Sequence, residues 1–229
     1  MVSHVSAAPI TVLLCDDQEL VRDGFRLILD LNDDIEVVGE ANDGQECLRL
    51  TAERSPQVVL MDVRMPRMDG IEATRRLVAA GSTSRVLMLT TFDLDELVYA
   101  ALAAGASGFL LKDVPREQLV GAVRMVARGD AVLSPALTRR LAERFVAAPP
   151  PSRHTPAALR PLSTREVEVF ALLARGRSNA EIAAALFLGD ATVKTHVARI
   201  LSKLDLRDRV QAVVLAYEIG YLRPGQPPS

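Results

Sequence analysis

Five short apolar runs, separated by stretches with helical spacing, dominate the first 128 residues. Each run has four to six mostly apolar residues, as expected for strands of a parallel sheet that helices cover on both faces. The runs are Ile10–Cys15, Ile35–Gly39, Val58–Met61, Val86–Leu89 and Gly108–Leu111. One intervening stretch starts at Pro115, a residue suited to the first position of a helix. This alternation predicts a doubly wound α/β domain with a five-stranded parallel sheet.

The second half of the chain has a different pattern. A proline-rich stretch over residues 147–156 disfavours helix and sheet and predicts a semi-rigid linker. Beyond it, only four short helical segments are predicted, which indicates a small all-α domain. The predicted organisation is a disordered N-terminus over 1–9, an α/β domain over 10–128, a linker over 129–160 with a helix near 135–146, an all-α domain over 161–222 and a tail over 223–229.

Charge differs between the two halves. Residues 1–128 hold 13 Lys and Arg against 20 Asp and Glu, a net charge of −7, whereas residues 129–229 hold 14 against 9, a net charge of +5. This difference in charge has two possible explanations. The first half could be an acidic module joined to a domain that binds polyanions, or the surfaces of two domains could simply vary in charge. The two cysteines, the lack of a secretory signal and the lack of an apolar run of about 18–20 residues argue against secreted, zinc-scaffold and membrane proteins. We expect a cytoplasmic protein.

Polar side chains mark the ends of four predicted strands. Asp16 and Asp17 follow the first, Asp62 the third, Thr90 the fourth and Lys112 the fifth. Ligands of open α/β sheets bind at the carboxyl ends of the strands, so these side chains are expected to converge. Converging carboxylates repel one another unless a hard cation joins them, and Mg²⁺ prefers such oxygen ligands. A carboxylate beside Mg²⁺ can attack a phosphoryl donor, while a lysine and a hydroxyl can bind the phosphoryl oxygens.

This pattern predicts a magnesium site formed by Asp17, Asp62, a backbone carbonyl and waters, with Asp16 acting through a coordinated water. Taken singly, Asp16 and Asp17 are equally consistent with an ordinary helix cap. A cluster of charged groups at several strand ends is harder to explain without a site. The chain also has 24 Arg but only three Lys, which indicates that each lysine marks a place where a compact ammonium is needed.

These residues resemble those of response-regulator receiver domains. The matching segments are Leu14–Asp17, Met61–Gly70, Leu89–Thr91 and Gly105–Lys112. The resemblance implies that Asp62 is the phosphoacceptor, that Mg²⁺ is the cofactor with the Arg64 backbone carbonyl as one of its ligands, and that a sensor histidine kinase is the phosphoryl donor. It also implies that Thr90 and Phe109 form a conformational switch, although Phe109 stands where many members have a tyrosine.

A tight break between the second and third predicted helices of the all-α domain indicates a helix-turn-helix. The second helix is predicted over Asn179–Leu186 and the third over Ala191–Leu204. The third has one apolar stripe, and its opposite face combines small and basic side chains, as a helix entering a DNA groove would. An ordinary surface helix is the alternative. Residues 161–222 have a net charge of only +1, from eight Lys and Arg against seven Asp and Glu, so any attraction to phosphates must be local.

This domain closely resembles the LuxR-type DNA-binding domain, and the whole chain resembles a NarL/FixJ-type response regulator. The matching segments are Leu162–Val169, Gly176–Ala183, Thr192–Val197 and Ile200–Leu204. The resemblance implies base contacts by Lys194, Thr195 and Ala198, and further DNA contacts by their neighbours Thr192, His196 and Arg199. Gly189 stands where the family usually has a capping serine, so Asp190 is expected to cap the third helix instead.

A phosphorylation-controlled transcription factor is therefore favoured, with no catalytic residues of its own. A phosphatase of the haloacid-dehalogenase type would need a second aspartate where this chain has Arg64. A phosphorylation-independent regulator would usually lack an acid, the switch hydroxyl or the lysine, all of which are present. The expected partners are a sensor histidine kinase, double-stranded promoter DNA and, as a further candidate, RNA polymerase, with no membrane involved.

We expect a homodimer on phosphorylation, because one helix-turn-helix contacts only a short half-site. A constitutive dimer is the alternative. The last helix is expected to pair the DNA-binding domains through Val213, Val214, Tyr217 and Ile219, and Arg207 and Arg209 are candidate phosphate contacts. The resemblance suggests that receivers pair through their first and fifth helices.

Overall fold

The structure, a computed structural model, describes residues 8–91, 95–130, 132 and 157–222. They form two compact units that divide between Val132 and Leu133. The predicted helix near 135–146, the proline-rich segment and the tail over 223–229 lie outside the described residues, as do residues 1–7 of the predicted disordered N-terminus. Within the described ranges, no helix is long and apolar enough to cross a bilayer.

The first unit is a five-stranded parallel sheet with strand order β2-β1-β3-β4-β5. The strands are β1 (Ile10–Cys15), β2 (Ile35–Ala41), β3 (Val58–Asp62), β4 (Arg85–Thr90) and β5 (Gly108–Leu111). The helices are α1 (Glu19–Asp30), α2 (Gly44–Arg54), α3 (Gly70–Ala79), α4 (Asp95–Ala103) and α5 (Arg116–Ala127). The predicted α/β fold is confirmed, and each of the five apolar runs forms one strand.

Helices α1 and α5 share one core with the sheet. Phe25 and Leu29 of α1 and Leu119 and Val123 of α5 are buried in a single cluster with apolar strand residues. Full burial of a side chain such as Leu29 contributes about 2 kcal/mol. Pro115 is the N-cap of α5 rather than its first residue, so the helix begins one residue later than the sequence indicated. This packing leaves the carboxyl ends of the strands free to hold polar side chains.

The second unit is helical. A short 3-10 turn (Ala157–Leu159) precedes α6 (Thr164–Ala174), α7 (Asn179–Leu186), α8 (Asp190–Lys203) and α9 (Arg209–Glu218). Capping boxes begin α6 at Ser163 and α7 at Ser178. The predicted bounds of α7 are confirmed, whereas the expectation that Asp190 caps the next helix is wrong. Gly189 adopts the extended N-cap conformation, so Asp190 becomes the first residue of α8.

The apolar residues of α9 face the core of their own domain. Val213 and Tyr217 are buried in this core, Ile219 packs against it, and Val214 is also buried. The expectation that Val213 and Tyr217 pair two DNA-binding domains is therefore wrong, since so small a domain needs them to complete its core, while the pairing roles of Val214 and Ile219 stay predictions. Arg209 is also buried and donates a hydrogen bond to the Arg177 carbonyl, which rules out the phosphate contact considered for it.

Candidate functional site

Three carboxylates converge at the carboxyl ends of β1 and β3, which are neighbours in the sheet. Oxygens of Asp16, Asp17 and Asp62 all lie within 4.8 Å of one another. Asp16 and Asp62 are buried, whereas Asp17 is exposed. We call these three residues the acid cluster. Three oxygen donors beside open solvent suit a hard cation that retains several of its waters.

Lys112 reaches the acid cluster from the end of β5. Its Nζ lies 2.6 Å from Asp16 Oδ2 and 3.1 Å from Asp62 Oδ1, and its side chain is only 9% exposed. Because β3 and β4 lie between β1 and β5 in the sheet, the contact of Lys112 with Asp16 crosses two strands. The lysine holds a positive charge between two buried carboxylates, where a phosphoryl group would need one.

Burial raises the pKa of Asp62 above its ordinary value. Lys112 opposes this rise because the ammonium favours the charged carboxylate, and the nearby Asp16 reinforces it. Desolvation and like charge both favour the protonated form, so a further cation at the acid cluster would stabilise the ionised one.

The two proposed switch residues are also buried. Thr90 ends β4, and its carbonyl accepts a hydrogen bond of 2.8 Å from the Lys112 amide. Phe109 lies within β5, and its amide donates to the Val132 carbonyl at 3.0 Å. Arg64 is exposed in the loop after β3, two residues beyond Asp62. The roles assigned to Thr90, Phe109 and Arg64 stay predictions.

Sequence reasoning missed the part played by Gly70, the first residue of α3. A Cβ at this position would lie 2.0 Å from the Asp62 carbonyl oxygen, so only glycine lets the helix begin against this backbone. The Gly70 amide also donates to the Val63 carbonyl at 3.0 Å, which closes the loop between β3 and α3. The dipeptide Asp69-Gly70 at the end of the matched segment was the available signal.

Cys15 and Cys47 are free and buried. A hydrogen bond with the Cys47 thiol, together with burial, raises the pKa of the Cys15 thiol well above its ordinary value. Cys15 therefore stays protonated beside the acid cluster and packs as a small core residue.

Helix α8 presents an exposed face made of residues that the sequence predicted for DNA binding. Lys194, Thr195, Ala198 and Arg199 line one shallow surface cavity along the helix, and Thr192 is also exposed. His196 is only half-buried, and its buried Nδ1 has no hydrogen-bond partner within the described part of the chain. The structure thus brings four of the six predicted contacts to one cavity and sets Thr192 and His196 apart from it.

The basic side chains of α8 differ in their surroundings. Lys203 is bound at 2.6 Å to Glu166 of α6, whose side chain is 4% exposed. Lys194 forms an exposed pair with Asp190 at 3.3 Å. Among the described residues, Arg199 has no carboxylate partner. Arg199 and Lys194 are therefore the cations of this helix that are open to a polyanion, whereas Lys203 ties α8 to α6.

Comparison with known proteins matches each of the two units to a family. Residues 12–124 match the response regulator receiver domain, and residues 160–216 match the luxR family of bacterial regulatory proteins. A receiver domain followed by a helix-turn-helix defines a class of transcriptional regulators in two-component signalling. The chain belongs to this family, the response regulators with a LuxR-type DNA-binding domain, as its sequence resemblance predicted.

Individual relatives match over nearly their full length. The transcriptional regulatory protein LiaR of Bacillus subtilis (strain 168) is 42% identical over 211 residues, which cover 91% of this chain and 97% of LiaR. An uncharacterised transcriptional regulatory protein of the same organism, YxjL, is 42% identical over 215 residues, with coverage of 93% and 98%. The crystal structure of the response regulator ChrA, from a haem-sensing two-component system, is similar with a TM-score of 0.52, 41% identity and coverage of 94% and 100%.

Proposed function

We propose that this response regulator is phosphorylated on Asp62 and that phosphorylation controls its binding to promoter DNA. The observation that carries this proposal is the contact of Lys112 with both Asp16 and Asp62 beside the exposed Asp17. A buried nucleophile, an adjacent cation and a group of metal-binding oxygens are the parts that phosphoryl transfer to a carboxylate requires.

In this proposal, Asp17, Asp62 and the Arg64 carbonyl hold Mg²⁺, and Asp16 acts through a coordinated water. When bound, Mg²⁺ supplies positive charge to the phosphoryl oxygens. An Asp62 oxygen attacks the phosphorus of a phosphohistidine in a sensor kinase, the P–N bond breaks, and the histidine leaves with the electron pair. Lys112 neutralises the transferred group, and the Thr90 hydroxyl donates a hydrogen bond to one of its oxygens.

Reaction with acetyl phosphate and Mg²⁺, followed by intact mass spectrometry, tests the phosphoacceptor. The parent protein is expected to gain one phosphoryl group and Asp62→Asn none, because the amide is nearly isosteric but lacks the nucleophilic oxygen. Asp69→Asn is a matched control, since Asp69 caps α3 in the same loop and asparagine caps equally well. Phosphorylation of Asp62→Asn would place the acceptor elsewhere.

We further propose that α8 enters the major groove of DNA. Lys194, Thr195 and Ala198 then face base edges, while Thr192, His196 and Arg199 contact the flanking backbone. The exposure of five of these six side chains supports this assignment. Ala198 offers only an apolar contact, such as one with a thymine methyl group.

The proposed response to phosphorylation is pairing of receivers, transmitted through Thr90 and Phe109. Leu20 and Leu27 of α1 and Leu31, the C-cap residue that follows it, are exposed by 84%, 67% and 67%. Their spacing of seven and four residues puts them on one side of the helix, and Gly24 lies between them. A second receiver is the proposed occupant, because a repeated leucine stripe packs well against its own copy. Because each receiver is joined to its own DNA-binding domain, pairing of two receivers would raise the local concentration of the second DNA-binding domain.

Sedimentation with and without beryllofluoride tests this response. The dimerisation constant of the parent is expected to rise with beryllofluoride, and that of Leu27→Glu to stay low. Arg75→Glu on the exposed face of α3 is the control and should dimerise like the parent. Equal dimerisation constants in both states would favour a constitutive dimer.

The remaining assignments follow from these two proposed sites. A protein that binds a sensor kinase and promoter DNA acts in the cytoplasm, with RNA polymerase as a further candidate partner. Arg64 occupies the position of the acid that a dehalogenase-type phosphatase would need, which supports a regulator without enzymatic turnover. The proposed bounds are 10–128 for the receiver and 161–222 for the DNA-binding domain.

A further inference from the structure

The loop between β3 and α3 contains an arginine in a backbone conformation that favours glycine. Arg67 has φ 62°, in the left-handed region, three residues beyond Arg64. Only a few per cent of non-glycine residues adopt positive φ, and they persist where their surroundings compensate for the strain. In this loop the compensation comes from the Arg67 guanidinium, which forms an ion pair with Asp43 and donates a 2.8 Å hydrogen bond to Asn42 Oδ1.

Asp43 is a firm anchor for this arginine. It is the N-cap of α2, its side chain is 4% exposed, and its Oδ1 accepts a 2.8 Å hydrogen bond from the Glu46 amide. Burial raises the pKa of Asp43, but the Glu46 amide and Arg67 together lower it below its ordinary value. The Asp43 carbonyl also accepts a hydrogen bond from the Cys15 thiol, immediately before the acid cluster. A buried carboxylate with these partners holds a nearly fixed position.

A backbone contact joins the same two segments. The Gly44 amide donates to the Met68 carbonyl at 3.1 Å, and a Cβ on Gly44 would lie 2.8 Å from that oxygen. At its far end the loop is closed by the bond from the Gly70 amide to Val63. Residues 63–69 are thus attached to the start of α2 by Arg67 and Met68 and to their own strand by Gly70.

We infer that the Arg67–Asp43 ion pair is a latch that positions the β3–α3 loop, and with it the Arg64 carbonyl, for Mg²⁺. Both residues are positioning residues, since neither is a proposed ligand. Mg²⁺ demands near-ideal octahedral geometry, so a carbonyl ligand on a loop binds well only when the loop is held in place. Outer partners of this kind typically change metal affinity by about 10–100-fold. The inference rests on the proposed metal site.

Two measurements on the full-length protein test the latch: isothermal titration calorimetry with Mg²⁺, and hydrogen exchange of the loop amides. Arg67→Gly is the informative variant, because glycine accepts φ 62° without strain while the ion pair is lost. We expect its dissociation constant for Mg²⁺ to rise about tenfold and the amides of residues 63–69 to exchange faster. Arg67→Lys keeps the charge and should recover part of the affinity.

Two further variants complete the test. Asp43→Asn retains a capping oxygen for α2 but loses the charge that binds Arg67, so it should weaken Mg²⁺ binding in the same direction. Arg75→Gln is the matched control: Arg75 is 59% exposed against 56% for Arg67, and it is also ion-paired. Its Mg²⁺ affinity and loop exchange should equal those of the parent.

The outcomes separate the latch from the metal site. Parent-like affinity and exchange in Arg67→Gly would overturn the latch while leaving the site intact. Failure of the parent to bind Mg²⁺, or undiminished binding by Asp17→Ala, would overturn the proposed metal site and the latch with it.

Discussion

Ion pairs of similar length serve different ends in the two domains. In the receiver, Lys112 is 9% exposed and lies 2.6 Å from Asp16 and 3.1 Å from Asp62, both of which are buried. On α8, Lys194 and Asp190 lie 3.3 Å apart but are 68% and 53% exposed. The first pair holds fixed charges around a small volume, whereas the second leaves its cation open to a large partner.

The two ion pairs differ because they are exposed to solvent to different degrees. Charges screened by water interact weakly and lose further strength with added salt, whereas charges at a desolvated site interact strongly and depend on geometry. The acid cluster therefore suits a small, precisely placed group such as a metal ion or a phosphoryl group. The face of α8 suits a polyanion whose binding is sensitive to salt. Four predictions, each with its own substitution and controls, test this contrast from the largest expected effect to the smallest.

Lys112→Met should destabilise the receiver by about 3 kcal/mol at neutral pH, because it leaves buried carboxylates without their cation. Burial raises the pKa of Asp62, so the folded state binds that proton more tightly than the unfolded state does. The stability of the variant should therefore recover as the pH falls through the folded pKa of Asp62, and the difference in stability between the variant and the parent should become smaller. Native-state hydrogen exchange of receiver amides measures this change. An equal loss in Lys194→Met would remove the contrast between the domains.

Lys194→Ala should weaken binding to the preferred DNA site by about 2 kcal/mol and reduce discrimination at one base pair. Arg199→Ala should instead weaken binding to all sequences alike and lower the salt dependence, as expected for loss of a phosphate contact. Titrations of matched and mismatched DNA at several salt concentrations distinguish the two. Unchanged sequence preference in Lys194→Ala would reassign that lysine to the DNA backbone.

Glu166→Gln should destabilise the helical domain by about 1 kcal/mol at neutral pH, a value reduced because Lys203 is partly exposed to solvent. The bond from Lys203, followed by that from the Ser163 amide, lowers the pKa of Glu166 from 4.5 to about 2. Its contribution is complete above the unfolded pKa and is lost as the pH falls from about 4.5 to about 2. Hydrogen exchange of the amides of α6 and α8 across this pH range measures the loss of stability.

Glu181→Gln is the control for Glu166→Gln, because Glu181 forms the equivalent capping box of α7 at an exposed position. The interaction between α6 and α8 should be unaffected by this variant. A smaller change in the opening of α8 between about pH 4.5 and about pH 2 in Glu166→Gln than in the parent is the predicted signature, and identical pH profiles would contradict it.

Asp190→Ala should change the stability of the helical domain by at most about 0.5 kcal/mol, because its pair with Lys194 is exposed. Thermal unfolding at low and high salt checks this expectation. A loss above about 1 kcal/mol would show that the surface pair resembles the buried one more than its exposure implies.

Local patterns in the sequence were sufficient for the fold and for much of the candidate sites. Apolar runs of strand length predict buried strands, and the residues after Cys15 and Met61 are then known to lie at one edge of the sheet. Periodicity likewise identified the exposed face of α8 that carries Lys194 and Arg199. In both cases the information lies within one element, where side-chain direction follows directly from the helical or strand repeat.

Contacts between elements were decided by the tertiary structure. The sequence does not indicate that Lys203 binds Glu166, that Arg67 binds Asp43, or that Val213 fills its own domain's core rather than a dimer interface. Each depends on which helices and loops become neighbours, and therefore on packing across gaps of 24 and 37 residues for the two ion pairs. Periodicity specifies the side of a helix that is apolar, but only the assembled core determines what that side contacts and which charges are left open to a partner.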